Sequence, residues 1–136
     1  YFVSMHQDPR TSYPGTGFAD ERGSGAGSGF TLNVPVPPGM EDEKYLQTFY
    51  ANVQPKLLEY NPDFVLISAG FDAHRDDPLA SLNLTERTFR ELTMELKQLA
   101  EKSAGGRIMS LLEGGYDLNA LSSSVQEHLT VLQNDD

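Results

Sequence analysis

The sequence predicts an α/β fold, specifically part of a doubly wound parallel sheet with helices on both faces. Three observations point there. Strand-like apolar runs alternate with segments of helical period along the whole chain. One run, Phe64-Val65-Leu66-Ile67-Ser68-Ala69-Gly70, is almost continuously apolar, as strands covered on both faces of a parallel sheet are. The loops that follow the runs hold the residues able to do chemistry, and sheets of this kind bind ligands beyond the carboxyl ends of their strands.

Taken in order, Tyr1 to Met5 is a short run with aromatic and β-branched members and predicts a strand. It reads as a strand already under way, the form expected of a chain cut in mid-domain. Asp8 to Gly29 turns to Gly, Ser, Pro and charge, which predicts a long loop of the kind that often carries function. Phe30 to Val36 predicts a second strand, stopped by Pro37-Pro38-Gly39. Glu41 to Tyr60 predicts a helix, with Leu46, Phe49, Val53 and Leu57 at helical spacing and Pro55 bending or shortening it. Glu41, Asp42 and Glu43 suit its first turn, where the helix dipole favours negative charge. Asn61-Pro62-Asp63 is a turn, and the apolar strand from Phe64 follows it. Thr85 to Lys102 predicts the second long helix through Phe89, Leu92, Leu96 and Leu99, ended by Ala104-Gly105-Gly106. Arg107 to Leu112 predicts another buried strand and Asp117 to Leu132 a last helix through Leu121, Val125 and Leu129. No repeat or internal boundary is evident, so residues 1–136 read as one portion of one domain.

Composition narrows the function. A formal charge of −10 repels nucleic-acid phosphates and anionic membrane surfaces and favours a cationic substrate. The expected partners therefore include no nucleic acid and no membrane. The chain has no cysteine, which excludes disulfides, thiolate nucleophiles and thiolate metal sites. Any metal is left to His, Asp or Glu. No apolar run spans a bilayer and no signal peptide is visible, so a cytoplasmic setting is expected. The alternating glycines Gly23, Gly25, Gly27 and Gly29 open no helix and so lack the mechanism of a phosphate-binding loop.

Three segments could carry chemistry. Asp72 stands just past the apolar strand, where a carboxylate can bind zinc or merely cap a turn. His74, two residues on, could share its face in an extended chain. Glu113-Gly114-Gly115-Tyr116 leaves the next strand; the glycines allow close backbone approach, and Tyr116 either donates to a developing oxyanion or staples the turn. Tyr13, held extended before Pro14-Gly15-Thr16-Gly17, lines a slot or simply packs. The residues alone leave each pair of readings open.

Taken together, the ordered set S-M-H-Q…Y-P-G-T-G, L-N-V-P-V, S-A-G-F-D-A-H-R-D-D-P-L…L-N-L-T and L-E-G-G-Y resembles the histone deacetylase superfamily, over nearly the whole chain from Tyr1 to Leu132. The A-G-F-D-A-H and E-G-G-Y forms look more like its class II and bacterial branches. The resemblance implies an arginase/deacetylase-like α/β sheet, here incomplete, and zinc-dependent amide hydrolysis of acetyl-lysine, acetylated polyamines or other small acylated amines. It makes Asp72 the second aspartate ligand of Zn2+ and Tyr116 the transition-state donor. It places Tyr13, Leu79, Gly114 and Gly115 around the acyl group, and Ser4, Met5 and Phe30, mostly through backbone carbonyls, at structural K+ or Na+ sites. One departure is Ala80-Ser81, where a glycine often follows D-P-L. The remaining zinc ligands and the paired histidines of the family lie upstream of this motif set, and none of them stands in these residues. The expectation is a portion of a deacetylase domain that is inactive alone and self-associates through an exposed sheet edge; a non-catalytic acyl-lysine binding or regulatory piece is the alternative.

Overall fold

The computed structural model describes residues 1–134. Four strands and four α-helices alternate much as the sequence predicts: β1 (Phe2–Gln7), β2 (Thr31–Val36), α1 (Asp42–Thr48), α2 (Gln54–Tyr60), β3 (Val65–Ala69), α3 (Glu86–Ser103), β4 (Ile108–Leu112) and α4 (Leu118–Gln133). The strands pair as two separate parallel ladders, β1 with β2 and β3 with β4, rather than as one continuous sheet. Both ladders are parallel, as expected of part of a doubly wound sheet; sequence periodicity reports which segments are strands but not which neighbour each one finds.

The segment 42–60 is not one regular helix. A π turn, Phe49–Val53, separates α1 from α2, and Pro55 falls in the first turn of α2. Proline has no N–H for the ladder and its ring crowds the preceding turn, so one wide turn placed just before it relieves both problems. The tail of α2 closes on Asn61 in the left-handed region, φ 55°.

Helices α3 and α4 pack on one face of the β3–β4 ladder. Val65 meets Leu99, Ala100 and Ala104, with Ile67 and Ile108 half-buried beside them. Ala69, Phe71 and Phe89 form a second cluster against Leu121 and Val125. The opposite face is bare: Leu66, Met109 and Leu111, which alternate with the packed residues, are exposed. A buried relay ties α3, α4 and β4 together. Thr93 donates to Phe89 O at 2.6 Å. Its hydroxyl proton is thus committed, so it accepts from Nδ1–H of His128 at 2.7 Å, and His128 Nε2 accepts from Ser110 at 2.9 Å. Burial pushes the His128 pKa down, consistent with this neutral ring.

Helix α1 is locked onto the start of α3 by one carboxylate. Asp42 accepts from Thr85 N at 2.8 Å, Thr85 Oγ1 at 2.6 Å and Thr88 Oγ1 at 2.6 Å. It thereby caps a helix other than its own. Partial burial alone would raise its pKa, but the hydrogen bonds from Thr85 and Thr88 outweigh burial and hold it below the ordinary carboxylate value. A lowered folded pKa gives stability that is present above about pH 4 and is lost as pH falls through the folded value. Asp42→Ala is therefore expected to cost about 2–3 kcal/mol at neutral pH and to flatten the acid limb of the stability profile, as read by urea denaturation from neutral pH down to about pH 3.

Candidate active site

The exits of β3 and β4 meet because their ladder continues beyond the strands. Glu113 N donates to Ala69 O at 3.0 Å, and Phe71 N donates to Gly114 O at 2.8 Å. Asp72 follows directly, so its side chain lies along the Gly114 backbone. A Cβ at Gly114 would stand 2.6 Å from Asp72 Cγ and 2.7 Å from Oδ2. Gly115 has φ 138°, and a Cβ there would stand 2.8 Å from Leu121 Cδ1. One glycine makes room for the carboxylate; the other lets the chain turn into α4. Past them, Tyr116 is exposed with its phenol free of hydrogen bonds among the described residues, and Asp117 caps α4 by accepting from Ala120 N at 2.8 Å.

Asp72 is half-buried and, among the described residues, pairs with no cationic side chain. Burial is the main cause that raises its pKa, and the charges of Asp77 and Glu113 add to it. A carboxylate so placed gains from a cation. Its hard oxygens suit zinc as one ligand of a set. Among the described residues no group of three His, Asp or Glu side chains gathers as a metal-binding set, so Asp72 fits as a single contributor.

His74 does not join Asp72. It is 2% exposed; Nδ1 accepts from Asp76 N at 3.1 Å, and Nε2 faces Glu86 Oε1 at 3.5 Å. The chain turns after Phe71, with His74 N donating to Phe71 O at 3.2 Å, so the extended geometry that would align positions 72 and 74 is absent.

Tyr13 sits on the long loop, 97% exposed, beside a cis bond to Pro14. The loop is anchored through His6. Gly17 O can only accept, so His6 Nε2 donates to it at 2.9 Å, and Ser4 Oγ donates to Nδ1 at 2.7 Å. Gly17 lies so close that a Cβ would stand 2.6 Å from the ring nitrogen. Leu79 is exposed on the loop after Asp72. Of the other expected residues, Met5 O accepts from the buried Tyr45 hydroxyl at 3.2 Å, and Phe30 O accepts from Phe2 N at 2.9 Å. Each carbonyl keeps a second lone pair for a cation. Burial first, and then the Asp72 charge, push the Tyr45 phenol pKa up, so this donor stays protonated.

Sequence reasoning missed three residues that shape this region. Tyr45 ties α1 to β1. Gln7 accepts from Ser81 N at 2.8 Å and donates to Thr11, joining both loops. Asp77, buried, accepts from Leu79 N and Tyr116 N. The repeated acid in Asp76-Asp77 was the available signal for the last, since only one of the two can be a solvated surface charge if the other is drawn inside.

The exits of two parallel strands thus hold a half-buried carboxylate with no cationic partner among the described residues and, two residues beyond the glycine it lies against, an outward phenol. Comparison with known proteins identifies the family. The histone deacetylase domain matches residues 1–132, and the chain belongs to that family. It is 44% identical over 136 residues to Histone deacetylase 14, chloroplastic, of Arabidopsis thaliana, covering 100% of this chain and 32% of that protein. It is 44% identical over 117 residues to a probable deacetylase of Archaeoglobus fulgidus, covering 86% of this chain and 32% of the relative. A histone deacetylase-like amidohydrolase of Pseudomonas aeruginosa is 40% identical over 114 residues, 84% of this chain and 30% of its own length. The crystal structure of the HDA15 HD domain superposes with a TM-score of 0.87 at 40% identity, covering 96% of this chain and 36% of that one. The fold is thus the arginase-like α/β fold of deacetylase domains, and the chain spans about a third of the length of these relatives. No helix among the described residues is long and apolar enough to cross a membrane.

The packing around Asp72 sets one expectation. Gly114→Ala forces the new methyl into the carboxylate and is expected to cost about 1–3 kcal/mol. Gly27→Ala, where a Cβ meets nothing within 4 Å, is expected to stay within about 0.5 kcal/mol. Parallel urea denaturation of the two variants checks the difference.

Proposed function

We propose that this chain is the C-terminal portion of a zinc-dependent deacetylase domain, in which Asp72 holds the metal and Tyr116 donates to the reacting carbonyl. The observation that carries the reading is the contact between Asp72 and the Gly114 backbone, two residues before Tyr116. It brings the carboxylate and the phenol-bearing turn to one edge of the ladder. Zinc, when bound, polarises an acyl carbonyl and lowers the pKa of bound water to about 7. The chain's own part is to supply one hard oxygen through Asp72 and one directed proton donor through Tyr116. The Tyr116 hydroxyl hydrogen-bonds the carbonyl oxygen more strongly as it gains negative charge, and so favours the tetrahedral state over the ground state.

Tyr13 and Leu79 flank the acyl-lysine path in this reading, and Gly114 and Gly115 give the acyl group close access to backbone. Ser4, Met5 and Phe30 help hold K+ or Na+, mostly through backbone carbonyls, and those of Met5 and Phe30 retain a free lone pair. The substrate is an acetylated lysine or acetylated polyamine, to which the formal charge of −10 is complementary. A cytoplasmic setting belongs to this reading; the name of one relative places that protein in the chloroplast. Catalytic zinc ordinarily needs three protein ligands, so the 136 residues by themselves are inactive, and copies associate through an exposed sheet edge.

The test uses the complete domain that carries these residues. Tyr116→Phe is expected to lower kcat by about 100- to 1000-fold with zinc content unchanged, while Asp72→Ala is expected to lose zinc. Metal analysis and deacetylation of an acetyl-lysine peptide read both. Loss of zinc from Tyr116→Phe, or full deacetylation by the 136-residue chain alone, contradicts the assignment.

A further inference from the structure

Nothing among the described residues hydrogen-bonds the Tyr116 phenol, and the side chain is 56% exposed. The polar hold on it therefore acts through its backbone. Upstream, Phe71 N donates to Gly114 O at 2.8 Å, but Gly115 stands between that bond and Tyr116 and leaves the chain free to swivel. Downstream, Asp117 fixes the start of α4. The remaining hold is on the Tyr116 amide itself: Tyr116 N donates to Asp77 Oδ2 at 2.8 Å.

Asp77 is built for that task. It is 8% exposed and forms no ion pair with any Lys, Arg or His among the described residues. Its other oxygen, Oδ1, accepts from Leu79 N at 2.9 Å and Ala80 N at 3.4 Å. Three backbone N–H groups from two loops thus converge on one carboxylate. A buried anion with no counter-ion is costly unless hydrogen bonds replace its hydration, and charge-assisted bonds to backbone N–H are among the stronger ones. The arrangement is intolerant of substitution in a specific way. An amide side chain offers one acceptor oxygen for two opposed sets of N–H donors, so it can satisfy the Leu79–Ala80 turn or Tyr116, never both.

We propose that Asp77 is a positioning residue for the hydrolytic reaction: it holds the Tyr116 turn against the Leu79 loop, so that the phenol and the rim of the acyl path are set by one group. This inference rests on the function proposed above. A shift of about 1 Å in a reacting group can cost on the order of 100-fold in rate, which is the scale on which such a tether acts.

The experiment is a double-substitution cycle in the complete domain, reading kcat and bound zinc. Asp77→Asn is expected to lower kcat about 10-fold or more with zinc retained. In a Tyr116→Phe background, where no phenol remains to be aimed, the same change is expected to cost less than about 2-fold. A merely structural role would lower kcat equally in both backgrounds, and that result overturns the inference. Should Asp77→Asn fail to fold, Asp77→Glu keeps the charge, displaces the acceptor by one methylene and is read through the same cycle with the same two outcomes. Wild-type domain that binds no zinc and deacetylates nothing would instead refute the functional reading, and the positioning role with it. An active wild type with an additive cycle removes only the positioning role.

Discussion

The register of β3 against β4 is the constraint on which the site depends. Val65 pairs with Ile108 and Ala69 with Leu112, and the two hydrogen bonds beyond the strands carry that register on to Gly114. Side chains alternate across a strand, so a slip by one residue would turn Ile67 and Ala69 outward and bring Leu66 and Ser68 in. It would also move Asp72 away from Gly114, the one place where the backbone leaves room for it. Core packing and site geometry therefore select the same register. The apolar clusters under α3 and α4 supply the free energy that holds Asp72 where it is.

Against that apolar support stands an electrostatic cost. Asp72, Asp77 and Glu113 crowd the strand exits, and their mutual repulsion contributes to the raised Asp72 pKa. The two buried or half-buried members solve the problem differently. Asp77 is satisfied by backbone N–H groups from two loops, whereas Asp72 finds only its own backbone and keeps unfilled acceptor capacity. Of two aspartates five positions apart, one serves the fold and the other is available to a ligand. The distinction lies in hydrogen-bond satisfaction, since burial alone would have ranked Asp77 first.

Much of this was legible in the sequence. The continuous apolar run before Asp72 and the Gly114-Gly115 pair placed both strand exits, and the helical spacings located α3 and α4 to within a residue or two. Pro55 announced an irregularity that the structure resolves as the π turn. What stayed hidden involves contacts between residues distant in the chain. Asp42 capping α3, Gln7 reaching Ser81, and the Thr93–His128–Ser110 relay leave no periodic trace. The division into two ladders was equally invisible, because alternation specifies a strand but not its partner. His74 shows the reverse error: a two-residue spacing suggested a shared face, and a local turn after Phe71 removed it.

The segment between β3 and α3 also explains how the two ladders cohere. Leu82 and Leu84 pack with Val36 and Tyr45 from the first half of the chain. Asn83 bridges to Glu41, and Leu84 to His74. Gly39 N donates to Ser81 O at 2.6 Å and Asn83 N to Met40 O at 2.9 Å. Among the described residues no backbone ladder crosses between β1–β2 and β3–β4, so this segment joins them together with α1, which Tyr45 ties to β1 and Asp42 to α3, and it also carries Asp72, Asp77 and Leu79. A displacement of the loop that carries Asp77 and Leu79 would therefore strain the seam against Val36 and Tyr45, so the seam stiffens the site from behind.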